Sequence, residues 1–196
     1  MDEMSMDNET KEALRLNFDN VANERACWFY VAGNLGFSAR ILEQYFVLDM
    51  TKEPDHERIV QSGKVTASML MLRGCRLECM LKALYVGRGN KLGLDGQYVS
   101  PGGKPHDLLS LSRKAAVSTT AAEDALLEYL SLYIVQGRYP IGKRAPDTFR
   151  VMADGSRRST VWGEEDERAY KHLDQRLSAQ VSRMIRERSA VQSDGL

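Results

Sequence analysis

Leu126 to Pro140, LLEYLSLYIVQGRYP, constrains the fold of this chain more than any other stretch. Leu126, Leu127, Leu130, Tyr133 and Ile134 recur at helical spacing. Tyr129, Leu132 and Val135 occupy much of the opposite side, so the helix has almost no polar face and is expected to be buried all round. A chain containing such an element must wrap other helices around it. The helix is predicted to end at Gly137-Arg138-Tyr139-Pro140. Glycine suits a left-handed C-terminal residue, and proline moves the residue before it out of the helical region. Arg138 then lies where the helix dipole favours a cation, either capping carbonyls or facing a groove.

Other elements read as helices in the same way. Ala13, Leu14, Phe18, Val21, Ala22 and Ala26 mark a helix from Glu9 to about Leu35, weakened at Gly33 and Gly36. Within it Cys27-Trp28-Phe29-Tyr30 reads as core. Ala39 to Asp49 forms a second segment. A long helix is expected from about Glu57 to Val86, with Met69, Leu70, Leu77, Met80, Leu81 and Leu84 as its apolar stripe. Pro54 and the acidic residues beside it suit its first turn. A short helix follows Lys104-Pro105-His106-Asp107. Thr120 and Glu123 have the spacing of a capping box ahead of the apolar helix. Two β-prone runs, Thr148–Met152 and Ser159–Trp162, flank a hairpin turn at Ala153 to Ser156. An amphipathic helix from Glu164 to about Ser189 completes the chain, with Tyr170, Leu173, Leu177, Val181 and Ile185 inward. The fold class is therefore all-α: an up-and-down bundle over 9–140, with a hairpin and added helix over 141–190 and polar, disordered tails at 1–8 and 191–196.

Charge and composition exclude several function classes. Formal net charge is zero, so no global field recruits nucleic acid or anionic membrane. No apolar run reaches membrane-spanning length. The acidic, polar start does not resemble a secretory signal, and the expected compartment is the cytoplasm. Cys27, Cys75 and Cys79 form no CxxC pair and read as reduced thiols. Neither they nor Asp55-His56-Glu57 complete a metal-ligand spacing, so no metal and no cofactor is expected.

Basic residues do cluster locally. Arg73, Arg76, Lys82, Arg88 and Lys91 stand against the single acid Glu78, a candidate phosphate-facing surface. Glu78 also precedes Lys82 by four residues, the favourable order for a helical ion pair. Six glycines between Gly87 and Pro105 predict a loop. Its glycines lack both the spacing and the preceding strand of a dinucleotide fingerprint. His106 lies at the start of the next helix, where its ring can position a ligand or tie the loop down.

Three pieces in this order, LECMLKALYVGRG, KPHDLLSLS and YLSLYIVQGRYP, resemble the HEPN domain family. The resemblance is clearest from about Arg76 to Pro140. It implies a small helical bundle, a homodimer, and nucleotide or RNA binding. Lys82, His106, Asp107, Arg138 and Tyr139 fall on the family's recurrent positions and are expected near one groove, with Arg73 and Arg76 beside them. Many relatives are ribonucleases that use an arginine followed by a histidine after four to six residues. No such motif occurs here. Arg168 and His172 are separated by only three residues, and they lie in the added helix. The reading is thus a non-catalytic HEPN-like protein that binds a nucleotide or RNA phosphate, in a toxin–antitoxin or defence setting. Two alternatives stand beside it. One is a diverged ribonuclease using His106 and Arg138, or Arg168 and His172. The other is a structural dimeric module that docks a protein partner.

Overall fold

The computed structural model describes residues 7–50, 56–101, 104–136, 150–151, 157–158 and 162–193. Among these are six helices: α1 (Asn8–Ala22), α2 (Arg25–Met50), α3 (His56–Gly87), α4 (Leu108–Lys114), α5 (Ala121–Gln136) and α6 (Glu164–Ser193). Two small antiparallel hairpins accompany them, β1 (Gly93–Leu94) with β2 (Gln97–Tyr98), and β3 (Arg150–Val151) with β4 (Arg157–Arg158). The all-α bundle with a small hairpin is the observed architecture.

The bundle is built around α3. No residue from Met69 to Val86 is exposed, because α2, α4, α5 and α6 pack against this helix from several sides. Leu70, Leu77, Met80, Leu81 and Leu84 are its buried stripe, as their spacing predicts. Glycine lets two neighbours come close. A methyl group on Gly74 would stand 2.8 Å from Ile134 of α5, and one on Gly36 of α2 would stand 2.6 Å from the Arg76 guanidinium.

The apolar helix is α5. Leu126, Leu127, Tyr129, Leu130 and Ile134 are buried, and Leu132, Tyr133 and Val135 are half-buried. Its capping box is formed as expected. Thr120 Oγ1 accepts from the Glu123 amide at 3.2 Å, and the Glu123 carboxylate accepts from the Thr120 amide at 2.9 Å. In α6, Tyr170, Leu173, Leu177 and Val181 face the core, with Ile185 half-buried.

Several expectations are corrected. The first helix breaks at Asn23, not at the glycines, and α2 runs unbroken through Gly33 and Gly36. The Asn23 side chain accepts from the amides of Leu92 and Gly93 and donates to the Gly93 carbonyl. Such side-chain bonds compete with helix continuation. Gly36 stays helical because Arg76 lies against its bare face. Of the aromatic knot, Trp28 and Phe29 are half-buried, but Tyr30 is 71% exposed. Leu14, Phe18 and Val21 of α1 are also exposed. Only Ala22 of that helix is buried, and polar bonds from Arg15, Asp19 and Asn23 hold it to the first hairpin.

The glycine-rich stretch contains that hairpin, in the register Gly93↔Tyr98 and Leu94↔Gln97. Asp95 (φ 54°) and Gly96 (φ 73°) turn it with two left-handed residues, the conformation Asp-Gly favours between strands. In the second hairpin β4 begins at Arg157, two residues before the expected run; Ala153 to Ser156 and Ser159 to Val161 lie outside the described residues. So do Pro54, Asp55 and the Gly137-Arg138-Tyr139-Pro140 stop. The described part of α6 continues to Ser193. No helix among the described residues is long and apolar enough to cross a membrane.

Candidate functional site

Several chain segments meet beside the C-terminal third of α3. Helical spacing puts Glu78 and Lys82 one above the other. Glu78 Oε1 receives the Lys82 ammonium at 2.8 Å. Its other oxygen, Oε2, accepts from His106 Nδ1 at 2.9 Å. One buried carboxylate thus divides its two oxygens between a lysine on its own helix and an imidazole 28 residues later in the chain.

Aromatic rings complete the lysine's surroundings. Its Nζ lies 4.8 Å from the Trp28 ring centroid and 5.2 Å from that of Tyr98. Both faces are negative and attract an ammonium. Trp28 is fixed in turn by its indole N–H, which donates to the Ala22 carbonyl at 2.8 Å. Tyr98 comes from β2, so the first hairpin supplies one wall.

Burial opposes the charge on Lys82, but attraction to Glu78 outweighs it and holds the ammonium above its ordinary pKa. Burial likewise opposes the Glu78 charge. Lys82 outweighs that, with help from the His106 hydrogen bond, and keeps the carboxyl below its ordinary value. An ionised carboxylate only accepts hydrogen bonds, so His106 Nδ1 carries the proton. Its Nε2 has no hydrogen-bond partner among the described residues.

His106 adopts a left-handed backbone, φ 62°, which costs an L-residue roughly 1–2 kcal/mol. The Glu78 bond offsets that cost from one side. From the other, Asp107 caps α4 by accepting from the Ser110 amide at 2.9 Å, and the Asp107 amide donates to the Lys104 carbonyl. Lys114 adds a bond to the Pro101 carbonyl that closes the loop's base. The result is a cavity of about 340 Å³ lined by Glu78, Lys82, Tyr98, Lys104, His106 and Asp107, among others. That is near the lower end of small-molecule sites, whose volumes run from about 300 Å³ upward.

The structure therefore brings Lys82, His106 and Asp107 together. Arg73 and Arg76 do not join them. Nine residues separate Arg73 from Lys82, about half a turn around the helix. Arg73 is 3% exposed and paired with Glu167 at 2.6 Å and Glu43 at 3.2 Å, beneath the rings of Trp162 and Tyr170. Arg76 is held by Asp174 and Ser178 of α6 and by the Ala32 carbonyl. Both tie α3 to α6, so the expected basic surface is split between two faces, and these two arginines are neutralised while Arg88 is exposed and bonds the Ala115 carbonyl. Arg138 and Tyr139 lie outside the described residues. His172, 68% exposed, pairs with Glu123, whose second oxygen holds Arg176; exposed Arg168 lines a different cavity, beside Trp162.

Trp28, Tyr98 and Lys104 were not legible as site residues. Their signal lies in contacts between distant segments, although the Asp95-Gly96 turn could have placed Tyr98 on a strand. Among the described residues no group of three or more His, Cys, Asp or Glu side chains could hold a metal ion. Comparison with known protein families, curated proteins and solved structures finds no match, so the site is read from its own geometry.

Proposed function

We propose that the protein is a non-catalytic, HEPN-like helical bundle that binds a nucleotide or an RNA phosphate at the Glu78–Lys82–His106 cavity. The observation that carries this reading is the convergence of Lys82 and His106 on one carboxylate at the wall of a cavity that Tyr98 and Lys104 also line. Lys104 is exposed and has no acidic partner among the described residues, which suits it to meet an anion. The Tyr98 ring, 47% exposed, offers a face for a base to stack on. Lys82 is largely neutralised by Glu78, so it contributes shape and a fixed dipole more than a free charge. Arg138 and Tyr139 belong to this reading through the family resemblance alone, as do a homodimer, a cytoplasmic location and a toxin–antitoxin or defence setting.

Titration calorimetry with nucleoside monophosphates, inorganic phosphate and short single-stranded RNA tests it. Expected is binding that weakens with added salt. Lys104→Ala and His106→Asn should each lower affinity at least tenfold while the fold persists; asparagine tolerates the left-handed backbone of residue 106. No binding of any of the three at low salt overturns the reading.

One observation favours a second reading, a diverged ribonuclease. Glu78 fixes His106 as the Nδ1–H tautomer, which leaves Nε2 to take a proton from a ribose hydroxyl. Cleavage of a labelled RNA that His106→Asn abolishes would replace the first reading. Intact RNA after prolonged incubation at high protein concentration removes the second.

A further inference from the structure

One proton sets what the Glu78 cavity can bond to. Glu78 is ionised and only accepts, so its 2.9 Å bond to His106 fixes the imidazole proton on Nδ1. In the neutral ring Nε2 is then a bare acceptor. A half-turn of the ring offers no escape, because it sets a carbon, Cδ2, against the carboxylate. Nor can the residue swing away freely: its left-handed backbone is held between this bond and the Asp107 cap of α4. Lys82 is occupied by Glu78 and the two rings, and the Asp107 carboxylate by the Ser110 amide. The Lys104 ammonium and His106 Nε2 have no partner among the described residues. Charge alone does not select a ligand, since Lys82 and Lys104 balance Glu78 and Asp107 around the cavity.

A cation beside a bare lone pair discriminates between two kinds of phosphate. The diester of an RNA strand has free oxygens that only accept; it satisfies Lys104 and sets acceptor against acceptor at Nε2. A monoester has a second pKa of about 6, close to the ordinary imidazole value of about 6.5. It can bring a P–OH to Nε2, or leave the proton on Nε2 and accept it back as a dianion. Either way one proton fills the gap that a diester leaves empty. We infer that the Glu78 cavity takes the terminal phosphate monoester of its ligand, not an internal diester, and that His106 Nε2 and a phosphoryl oxygen share one proton in the complex. This rests on the nucleotide or RNA-phosphate binding proposed above and narrows it. The dimensions agree, for about 340 Å³ suits one end of a molecule, whereas grooves for single strands track the backbone over several nucleotides.

The shared proton makes binding depend on pH. The titratable groups around His106 are Glu78 and Lys82 of α3, Tyr98 of β2, and Lys104 and Asp107 of its own segment. The Glu78 carboxyl lies below its ordinary value and the Lys82 ammonium above its own, so both keep their charges near neutrality. Imidazole and monoester are the groups that ordinarily change protonation there. Above about pH 7 neither free partner holds the proton, and the complex must take it from solution; affinity then falls by up to about tenfold per pH unit.

Titration calorimetry of the full chain at low salt tests this with a nucleoside 5′-monophosphate, its methyl phosphate ester, and a short RNA with and without a 5′-phosphate. Expected at pH 7 is binding of the monophosphate about tenfold or more tighter than the methyl ester. At pH 8, paired buffers of unlike ionisation enthalpy should show about one proton taken up per monophosphate bound. His106→Asn should shrink the preference to within about threefold, whereas Lys104→Ala should weaken both ligands alike. The RNA pair separates the two sources of the group: a gain from the 5′-phosphate admits RNA ends, and no binding of either RNA assigns the cavity to free nucleotides. Equal affinity for monophosphate and methyl ester, or RNA that binds equally well without its 5′-phosphate, overturns the inference and leaves the broader reading intact. So does a preference that survives His106→Asn, or the absence of proton uptake at pH 8, which needs no variant. Failure of every one of these ligands to bind overturns the broader reading itself.

Discussion

Glu78→Gln tests the energetics on which the cavity rests. The substitution keeps the shape of the side chain and removes its charge. In the native protein that charge faces Lys82 at 2.8 Å and His106 at 2.9 Å, with side-chain exposures of 10% for Glu78 and 14% for Lys82. Removing one member of a buried ion pair costs about 3–5 kcal/mol, because the other charge stays desolvated. Here Trp28 and Tyr98 still hold the ammonium, each contributing roughly 0.5–1 kcal/mol. The expected loss is therefore about 2–3 kcal/mol. At about 2–4 °C per kcal/mol for a chain of this size, Tm should fall by roughly 4–12 °C.

Urea unfolding at neutral pH measures the loss directly, and a pH series checks its cause. The folded pKa of Glu78 is depressed below the ordinary 4.5. Its contribution to stability is then complete above that value and disappears as pH falls through the lower folded pKa. The difference between native protein and variant should accordingly be full at neutral pH and close in acid. Adding Lys82→Met to Glu78→Gln should recover part of the loss, since no orphaned cation remains. A variant within about 0.5 kcal/mol of the native protein would refute the reasoning. A gap that widens toward low pH would do the same.

Other expectations are simpler to check. Gly74→Ala should destabilise by about 1–3 kcal/mol in thermal unfolding, because its methyl group meets Ile134 at 2.8 Å and the Leu130 carbonyl at 3.2 Å. Gly33→Ala, with nothing within 4 Å, should instead gain about 0.5–1 kcal/mol from helix propensity. Thr120→Ala removes the acceptor for the Glu123 amide and should cost about 1 kcal/mol, read as a fall in the urea midpoint. Cys79 should resist a disulfide reagent at pH 8 until the protein unfolds, since burial pushes its thiol up to about 12.

The helices that pack through long apolar stripes were legible in the sequence. α3, α5 and α6 follow their periodicity closely, because burial and spacing report the same face. The Thr120–Glu123 box and the Glu78–Lys82 pair were equally plain, being complete within one turn of helix. What failed depended on partners far along the chain. Asn23 ends α1 by bonding to residues about 70 positions away, and no local signal names them. Gly36 looked like a weak point but serves as the seat of Arg76. The split between Arg73 and Lys82 was available from helical geometry alone; counting charges along the sequence concealed it. His106 could be placed at a helix start, but its bond to Glu78 could not, because a lone histidine specifies no partner.

The pairing of α3 with α6 also bears on the order in which the chain is made. Synthesis runs from the N-terminus, and domains begin to fold in that order. α2 and α3 are neighbours in sequence and form the most extensive helix pair, so they can associate while α6 is still being translated. Until Glu167 and Asp174 arrive, Arg73 and Arg76 have only their α2 partners, Glu43 and the Ala32 carbonyl, and their other sides stay open to water. A nascent chain thus shows water two cations where the finished protein has a seam. Docking of the last helix is then the step that completes the burial of both cations and dries the groove.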